Sequence, residues 1–465
     1  MKKRLLWVLG LAAVVIVVLR IPSLFEPYSY ADEGIYLVLG QAFKKGLVFY
    51  KDIHDNKPPL LYITAGLAGN LQNLRAILLL WNLVNLWLVW LIAKKIFQDR
   101  FWPVLASALL FALLSSLTLF EGNIANGEIF MIMPMTAAVL LVLKERFFLA
   151  GALAAVGFLF KVPVGFEWLG LMLFLLWQGK DVWRRWGWML AGFLLPNLLV
   201  GGYYWRVGAG GRYINAALLQ NMPYLTSWGG GGGPPVNGLW QSGLVQRGLV
   251  LLVLTGLVFV WRRKLDKKVA LLGLWLVFGL YGALLSERPY PHYMMEVVPA
   301  LSLMFGLVLE KELVKKLAAA MGVILVIASF YFYDFWRYPV VEYYKNFYHS
   351  RQRYWGEEAL IDQQTAAYIK SVTQTQDRIY VWGTAPGIYY LSGRLPVGRY
   401  TVAYHVADFD GFAETMAALR QGEPQVIVKL KSERIEFFEL DDYVSQEYQL
   451  VEVIGDREIY FRLME

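Results

Sequence analysis

No cysteine occurs among the 465 residues, which excludes disulfides, thiolate metal sites and cysteine nucleophiles. Charge is scarce too. Asp, Glu, Lys and Arg make up 17% of the chain, against about a quarter in soluble proteins. Histidine stands at only four positions, 54, 292, 349 and 405, and no zinc-protease helix motif surrounds any of them. The glycine run at 229–233 is followed by Pro234 and Pro235, where a phosphate-binding loop needs Lys-Ser/Thr opening a helix. It reads as a loop tip, of a kind that can close over a lipid substrate. There is no basic stripe or recognition motif for nucleic acid, and no internal repeat.

What fills the chain instead is apolar: 57% hydrophobic residues and 18 Trp, with a mean hydropathy of +0.44. A membrane-spanning helix needs roughly 20 mostly apolar residues. Such windows recur along about the first 330 residues and stop there. They predict about eleven spans, near 5–22, 73–93, 102–120, 129–143, 147–161, 163–178, 186–206, 243–261, 269–286, 293–309 and 314–333. Lys and Arg collect at alternate ends of these spans: at residues 2–4, at Lys94, Lys95 and Arg100, and at Lys144 and Arg146. Lys180, Arg184 and Arg185 follow, then 262–268, then Lys311, Lys315 and Lys316. Cytoplasmic loops retain positive charge, so the N-terminus is expected in the cytoplasm of a multi-pass inner-membrane protein. The net charge of +8 is then mostly a signal of topology. The first apolar run continues to Arg20 with no small-residue cleavage site, so it is expected to remain as a span.

Four pieces fall outside the spans and are all expected on the extracytoplasmic face: a long first loop at 22–73, a short loop at 121–128, the loop at 208–242, and a tail from about 334. In the tail, helix-like stretches alternate with short apolar runs at 378–382, 425–429 and 458–463, the pattern of a small α/β domain. The expected fold class is therefore an α-helical polytopic membrane protein with a small C-terminal α/β domain. Residues 1–333 would form the membrane domain and 334–465 the extracytoplasmic one.

The first loop holds the densest chemistry. It contains Tyr30-Ala-Asp32-Glu33-Gly-Ile-Tyr36 and Tyr50-Lys-Asp52-Ile-His54-Asp55-Asn-Lys57-Pro58-Pro59. Adjacent carboxylates just past a span have two readings: a solvated helix start favoured by the helix dipole, or a general base at the membrane surface. Lys57 also has two, a lysine snorkelling to the interface or a cation for a lipid phosphate. The proline pair fixes the backbone around it and so aims it at one spot. Asp52, His54 and Asp55 form a weak candidate set for a divalent metal, which stays open; no cofactor is expected.

An Asp-Glu pair after the first span, an aromatic residue about four positions on, and Lys-Pro-Pro before the second span resemble the GT-C membrane glycosyltransferases related to protein O-mannosyltransferases and lipid A aminoarabinose transferases. Further along, Gly127-Glu128-Ile-Phe, Phe160-Lys161-Val-Pro163 and Tyr290-Pro-His292-Tyr293-Met-Met-Glu296-Val-Val-Pro299 are similar to segments of the same family. In the tail, Tyr380-Val-Trp382-Gly383 followed by Tyr389-Tyr390-Leu-Ser-Gly393-Arg394 resembles the extracytoplasmic domain of its bacterial members.

The resemblance implies an inverting transfer of a sugar from a polyprenyl-phosphate donor lipid to a hydroxyl on a protein, lipid or glycan acceptor. Asp32 would be the base, supported by Glu33 and Tyr36, and Lys57 would bind the donor phosphate. Glu128, Tyr293 and His54 would contact acceptor or sugar. Aminoarabinose-type members carry an arginine three residues after the Asp, and here that residue is Ile35. Arg288, His292 and Lys161 are the candidates to replace it. Arg247, near the eighth span, reads instead as packing. Trp382 and Tyr389 read as tail core rather than as a sugar platform. The competing functions are a lipid-linked sugar transporter or flippase, and a polysaccharide polymerase or ligase. A transporter would place its ionisable residues at the membrane midplane, and a diphosphate leaving group would call for paired cations. A non-catalytic sensor leaves the acidic first loop unexplained.

Overall fold

A computed structural model describes residues 2–27, 30–220, 243–286, 288, 290–310, 340–348 and 357–463. The expected eleventh span, the glycine run at 229–233 and His349 lie outside these residues. Each of the other ten expected spans coincides with a helix: α1 (Lys2–Arg20), α4 (Leu71–Phe97), α5 (Phe101–Leu114), α6 (Gly127–Leu143), α7 (Phe147–Phe160), α8 (Val164–Gln178), α9 (Val182–Arg206), and the helical stretches Gly243–Val260, Lys267–Ala283 and Pro291–Val308. The segments Lys3–Leu24, Leu71–Phe97, Gly243–Val260 and Pro291–Val308 are both long and apolar enough to cross a membrane. Two more helices, α2 (Ala31–Lys44) and α3 (Leu60–Ala68), lie in the first long loop.

The chain divides into two compact units. The first comprises Met1–Leu24, Arg75–Gly202 and Leu218–Arg351. Its outer helices turn large apolar side chains outward: Trp7 is 79% exposed, Leu198 66% and Leu252 67%. Leucine and tryptophan so displayed suit hydrocarbon, and this is a membrane protein. Several polar groups inside this unit are paired, which lowers the cost of burying them. Arg20 donates to the Ser115 carbonyl at 2.7 Å, Arg75 to the Ser23 carbonyl at 2.8 Å, and Asn82 to Ser115 Oγ at 2.9 Å.

The second unit comprises Phe25–Leu74, Tyr203–Ala217 and Gln352–Glu465. Helices α2 and α3 pack through two glycines. A Cβ on Gly40 would lie 2.5 Å from the Gly66 nitrogen, so a side chain there would drive the helices apart. The tail forms a five-stranded sheet in the order β2-β1-β3-β5-β4, with β1 Arg378–Trp382, β2 Leu395–Pro396, β3 Val426–Leu430, β4 Tyr448–Ile454 and β5 Arg457–Arg462. β1 runs parallel to β2 and β3, whereas β5 runs antiparallel to β3 and β4. Tyr380, Trp382, Ile427, Leu419 and Leu440 form the core beneath the sheet. Trp382 is 4% exposed, and Tyr389 is fully buried with its hydroxyl accepting from Val381 N–H at 2.7 Å, so both are core residues. The tail meets the first loop directly: Gln41 donates to the Tyr390 carbonyl at 3.1 Å and His54 N–H to the Arg399 carbonyl at 2.8 Å.

Candidate active site

In the second unit the two motifs of the first loop converge. Asp32 and Glu33 sit in the first turn of α2, where the helix dipole favours acids. Tyr36 follows one turn later, and its hydroxyl donates to Asp32 Oδ2 at 3.0 Å, an i,i+4 contact. Lys57 Nζ lies 3.3 Å from the same Asp32 oxygen and 5.2 Å from the centre of the Tyr36 ring. The Lys57 and Asp32 side chains are 17% and 22% exposed. Glu33 is fully buried behind them, as is Ile35.

Lys57 is held from below by its own backbone. Pro58 and Pro59 lead into α3, whose N-terminal cap is Pro59, and proline is well tolerated at a helix start. The Lys57 carbonyl accepts from the Tyr50 hydroxyl at 2.7 Å, and the Lys57 N–H donates to the Tyr62 hydroxyl at 2.9 Å. Tyr50 has a φ of 68°, a conformation that costs a non-glycine residue on the order of 1–3 kcal/mol. The cost is offset by full burial against Tyr204 and Tyr213, with ring centres 5.1 and 5.3 Å away. Asp55, also buried, lies 3.8 Å from Lys57 Nζ, 2.9 Å from the Tyr62 hydroxyl and 3.4 Å from His405 Nε2. Burial, with Lys57 nearby, pulls the His405 imidazole down from 6.5 to about 3.

The motif reading placed neither Asp55 nor His405 in the site. Their pairing joins positions 350 residues apart, which no local pattern reveals. His54 is 1% exposed, its ring 4.0 Å from that of Phe409 and tilted against Tyr400. It is packed into the unit rather than presented to solvent. Asp52 accepts from Val48 N–H at 2.8 Å. Among the described residues no group of three or more His, Asp or Glu is arranged to hold a metal ion.

The first unit holds a second cluster. Helices α6 and α7 form a tight hairpin, so Glu128 in the first turn of α6 meets Lys161 at the end of α7, and the two form an ion pair. His292 faces a carboxylate with each ring nitrogen: Nδ1 is 2.5 Å from Glu121 Oε2 and Nε2 is 3.7 Å from Glu128 Oε1. Lys161 Nζ stands 4.6 Å over the Tyr293 ring. The other Glu128 oxygen, Oε2, is buried without a hydrogen-bond partner among the described residues. Arg288 is half-buried nearby in sequence, and Arg247 donates to the Leu285 carbonyl at 3.3 Å. The structure thus gathers Glu128, Lys161, His292 and Tyr293 in one unit and Asp32, Glu33, Tyr36, Lys57 and His54 in the other.

Chemically, the first-loop cluster offers a carboxylate and an ammonium side by side, both within reach of solvent. That suits proton abstraction beside an anionic leaving group.

Comparison with known proteins meets this geometry at two levels. The family model for dolichyl-phosphate-mannose-protein mannosyltransferase matches residues 57–205, beginning at Lys57 itself. No curated protein sequence matches the chain. The crystal structure of ArnT from Cupriavidus metallidurans bound to undecaprenyl phosphate superposes with a TM-score of 0.60 at 14% identity, over 99% of this chain and 98% of that one. The apo structure of the same protein gives 0.59 at 14% identity, over 98% and 97%. The chain therefore carries the GT-C fold of ArnT, together with a segment that matches the dolichyl-phosphate-mannose-protein mannosyltransferase family.

Proposed function

We propose that the chain is an inverting glycosyltransferase that takes its sugar from a polyprenyl-phosphate lipid. The observation that carries this reading is the Asp32–Lys57 pair at 3.3 Å, with Tyr36 hydrogen-bonded to the same carboxylate. The family match starting at Lys57 and the fold shared with a protein crystallised on undecaprenyl phosphate support it.

In the proposed reaction Asp32 removes the proton from an acceptor hydroxyl as that oxygen bonds to the anomeric carbon. The bond from that carbon to the phosphate oxygen breaks, and polyprenyl phosphate leaves with the electron pair. Its charge grows from one to two negatives, and Lys57 stabilises the increase; such electrostatic terms are commonly the largest in catalysis. At rest Lys57 neutralises Asp32. An arriving donor phosphate competes for the ammonium and leaves Asp32 free to act as base, while Asp55, tied to Tyr62 and His405, keeps Lys57 in place. Arg288 is our candidate for the remaining phosphate charge, in place of the arginine that Ile35 replaces. Glu128, through its free oxygen, and Tyr293 are assigned to sugar or acceptor hydroxyls, with His292 and Lys161 orienting Glu128. His54 acts through packing. We assign the membrane domain to 1–333, with a cytoplasmic N-terminus, and the extracytoplasmic domain to 334–465.

The test is transfer from radiolabelled polyprenyl-phosphate hexoses and pentoses by purified protein and by Asp32→Asn. A general base is worth about 10²–10⁴-fold, so the variant should lose that much transfer while still binding donor. Full activity in Asp32→Asn would move the base elsewhere. A protein that binds no polyprenyl phosphate would return the transporter reading.

A further inference from the structure

The α6–α7 hairpin carries Glu128 and Lys161 at one end and Glu145 and Arg146 at the other. Beside that second end, the turn from α8 into α9 presents Lys180, Asp181, Arg184 and Arg185, and the two turns enclose a cavity of about 450 Å³. Four cations line it against two acids. Arg185 is buried and already engaged, donating to Gln178 Oε1 at 2.8 Å and lying 3.6 Å from Glu145. Arg146, Lys180 and Arg184 are exposed at the mouth and make no ion pair among the described residues. Both α7, starting at Phe147, and α9, starting at Val182, open their first turns onto the cavity, where unpaired N–H groups attract anions.

The cavity is a fixed wedge. α7 and α9 cross so closely that a Cβ on Gly151 would lie 2.0 Å from the Met189 carbonyl oxygen, and one on Gly192 equally close to that of Phe148. Trp188, on the cavity wall, is 57% exposed, and the next turns of α9 expose Leu194, Leu195, Leu198 and Leu199. A basic mouth thus continues into an apolar track on one helix.

We propose that this cavity binds the phosphate headgroup of an anionic membrane phospholipid, with Arg146, Lys180 and Arg184 as its cationic partners and the acyl chains along α9. A soluble phosphate would use the cations but leave the track bare. A zwitterionic lipid would use the track but gain little from the excess of positive charge. The site is separate from the sugar-transfer reading and stands or falls without it.

The test is photo-crosslinking of the purified full chain with a diazirine-bearing phosphatidylglycerol, mapped by mass spectrometry. Crosslinks should fall within residues 183–199. Unlabelled phosphatidylglycerol should compete about ten- to a hundredfold better than phosphatidylcholine, given the strength of a few basic residues on anionic lipid. Arg146→Gln with Lys180→Gln and Arg184→Gln should erase the preference, and Arg420→Gln with Lys431→Gln should not. Equal competition by phosphatidylcholine would mean ordinary lipid contact and overturn the proposal. Competition by inorganic phosphate at the same concentration would mean a soluble-anion site and overturn it too. The competition in the unaltered chain decides the matter even if the triple variant fails to fold.

Discussion

The two charged clusters are built from the same residue types to different ends. At Asp32–Lys57 both side chains keep about a fifth of their surface in solvent, and the lysine is fixed through its backbone by Tyr50 and Tyr62. At Glu128–Lys161 the carboxylate is sealed, and His292 closes a second side with Glu121 behind it. A pair that keeps some contact with solvent leaves room for an incoming phosphate to compete for its lysine. Removing Lys161 would strand a buried carboxylate, whereas Lys161 itself is 17% exposed, as Lys57 is. The difference lies in the carboxylates, Asp32 reaching solvent and Glu128 enclosed.

The sharpest way to break that contrast is Glu128→Leu. It should cost up to about 3–5 kcal/mol of stability by leaving Lys161 without its carboxylate, read as a fall in the unfolding midpoint. Adding Lys161→Met should restore part of it, since contacting residues are not additive. An undiminished midpoint would show that the second cluster is as open as the first. Next, Lys57→Met should lower the transfer rate about 10²–10³-fold, with weaker donor binding by fluorescence titration. Tyr36→Phe should lower kcat about tenfold, the equivalent of ~1.4 kcal/mol, without changing the donor Kd.

His405 gives an effect of a different kind, on stability against pH. Its proton binds below 6.5 in the unfolded chain but only near 3 in the folded one. Stability present above 6.5 is therefore lost as pH falls through that window, by at most about 1.4 kcal/mol per pH unit for one proton. His54 is shifted the same way, chiefly by burial. Acid titration of the unfolding midpoint should be shallower in His405→Gln than in the parent.

Hydropathy was enough to locate the helices of ten expected spans, because a bilayer demands one long apolar stretch per crossing; α2 and α3 lay outside its reach. Asp32 and Lys57 were legible for a related reason: each sits beside a feature that sets its backbone, a helix start or a proline pair. Strands β1, β3 and β5 were readable as apolar runs. β4 was not, since Leu450, Val451 and Val453 are all more than 40% exposed and show no alternation. β2 spans only Leu395 and Pro396, too short for any pattern. Glu128, Lys161 and His292 each drew notice singly, but their convergence depends on the α6–α7 hairpin and on a distant segment reaching it. Tyr50 gave no signal at all, as a positive φ on tyrosine is visible only in the fold.

The second unit is discontinuous, and this bears on how the protein is made. The first loop leaves the ribosome early, yet its partners Tyr390, Arg399 and His405 belong to the tail; the Gln41–Tyr390 bond alone spans 349 positions. At ~5–20 residues per second, the loop waits roughly 20–70 s for the segment that completes it. During that interval Asp55 has no His405 and the Lys57 turn lacks its outer brace. A nascent chain is therefore threaded into the membrane before its charged loop is locked, and a chain cut short anywhere ahead of the tail would keep every motif of the loop while lacking the fold that aligns them.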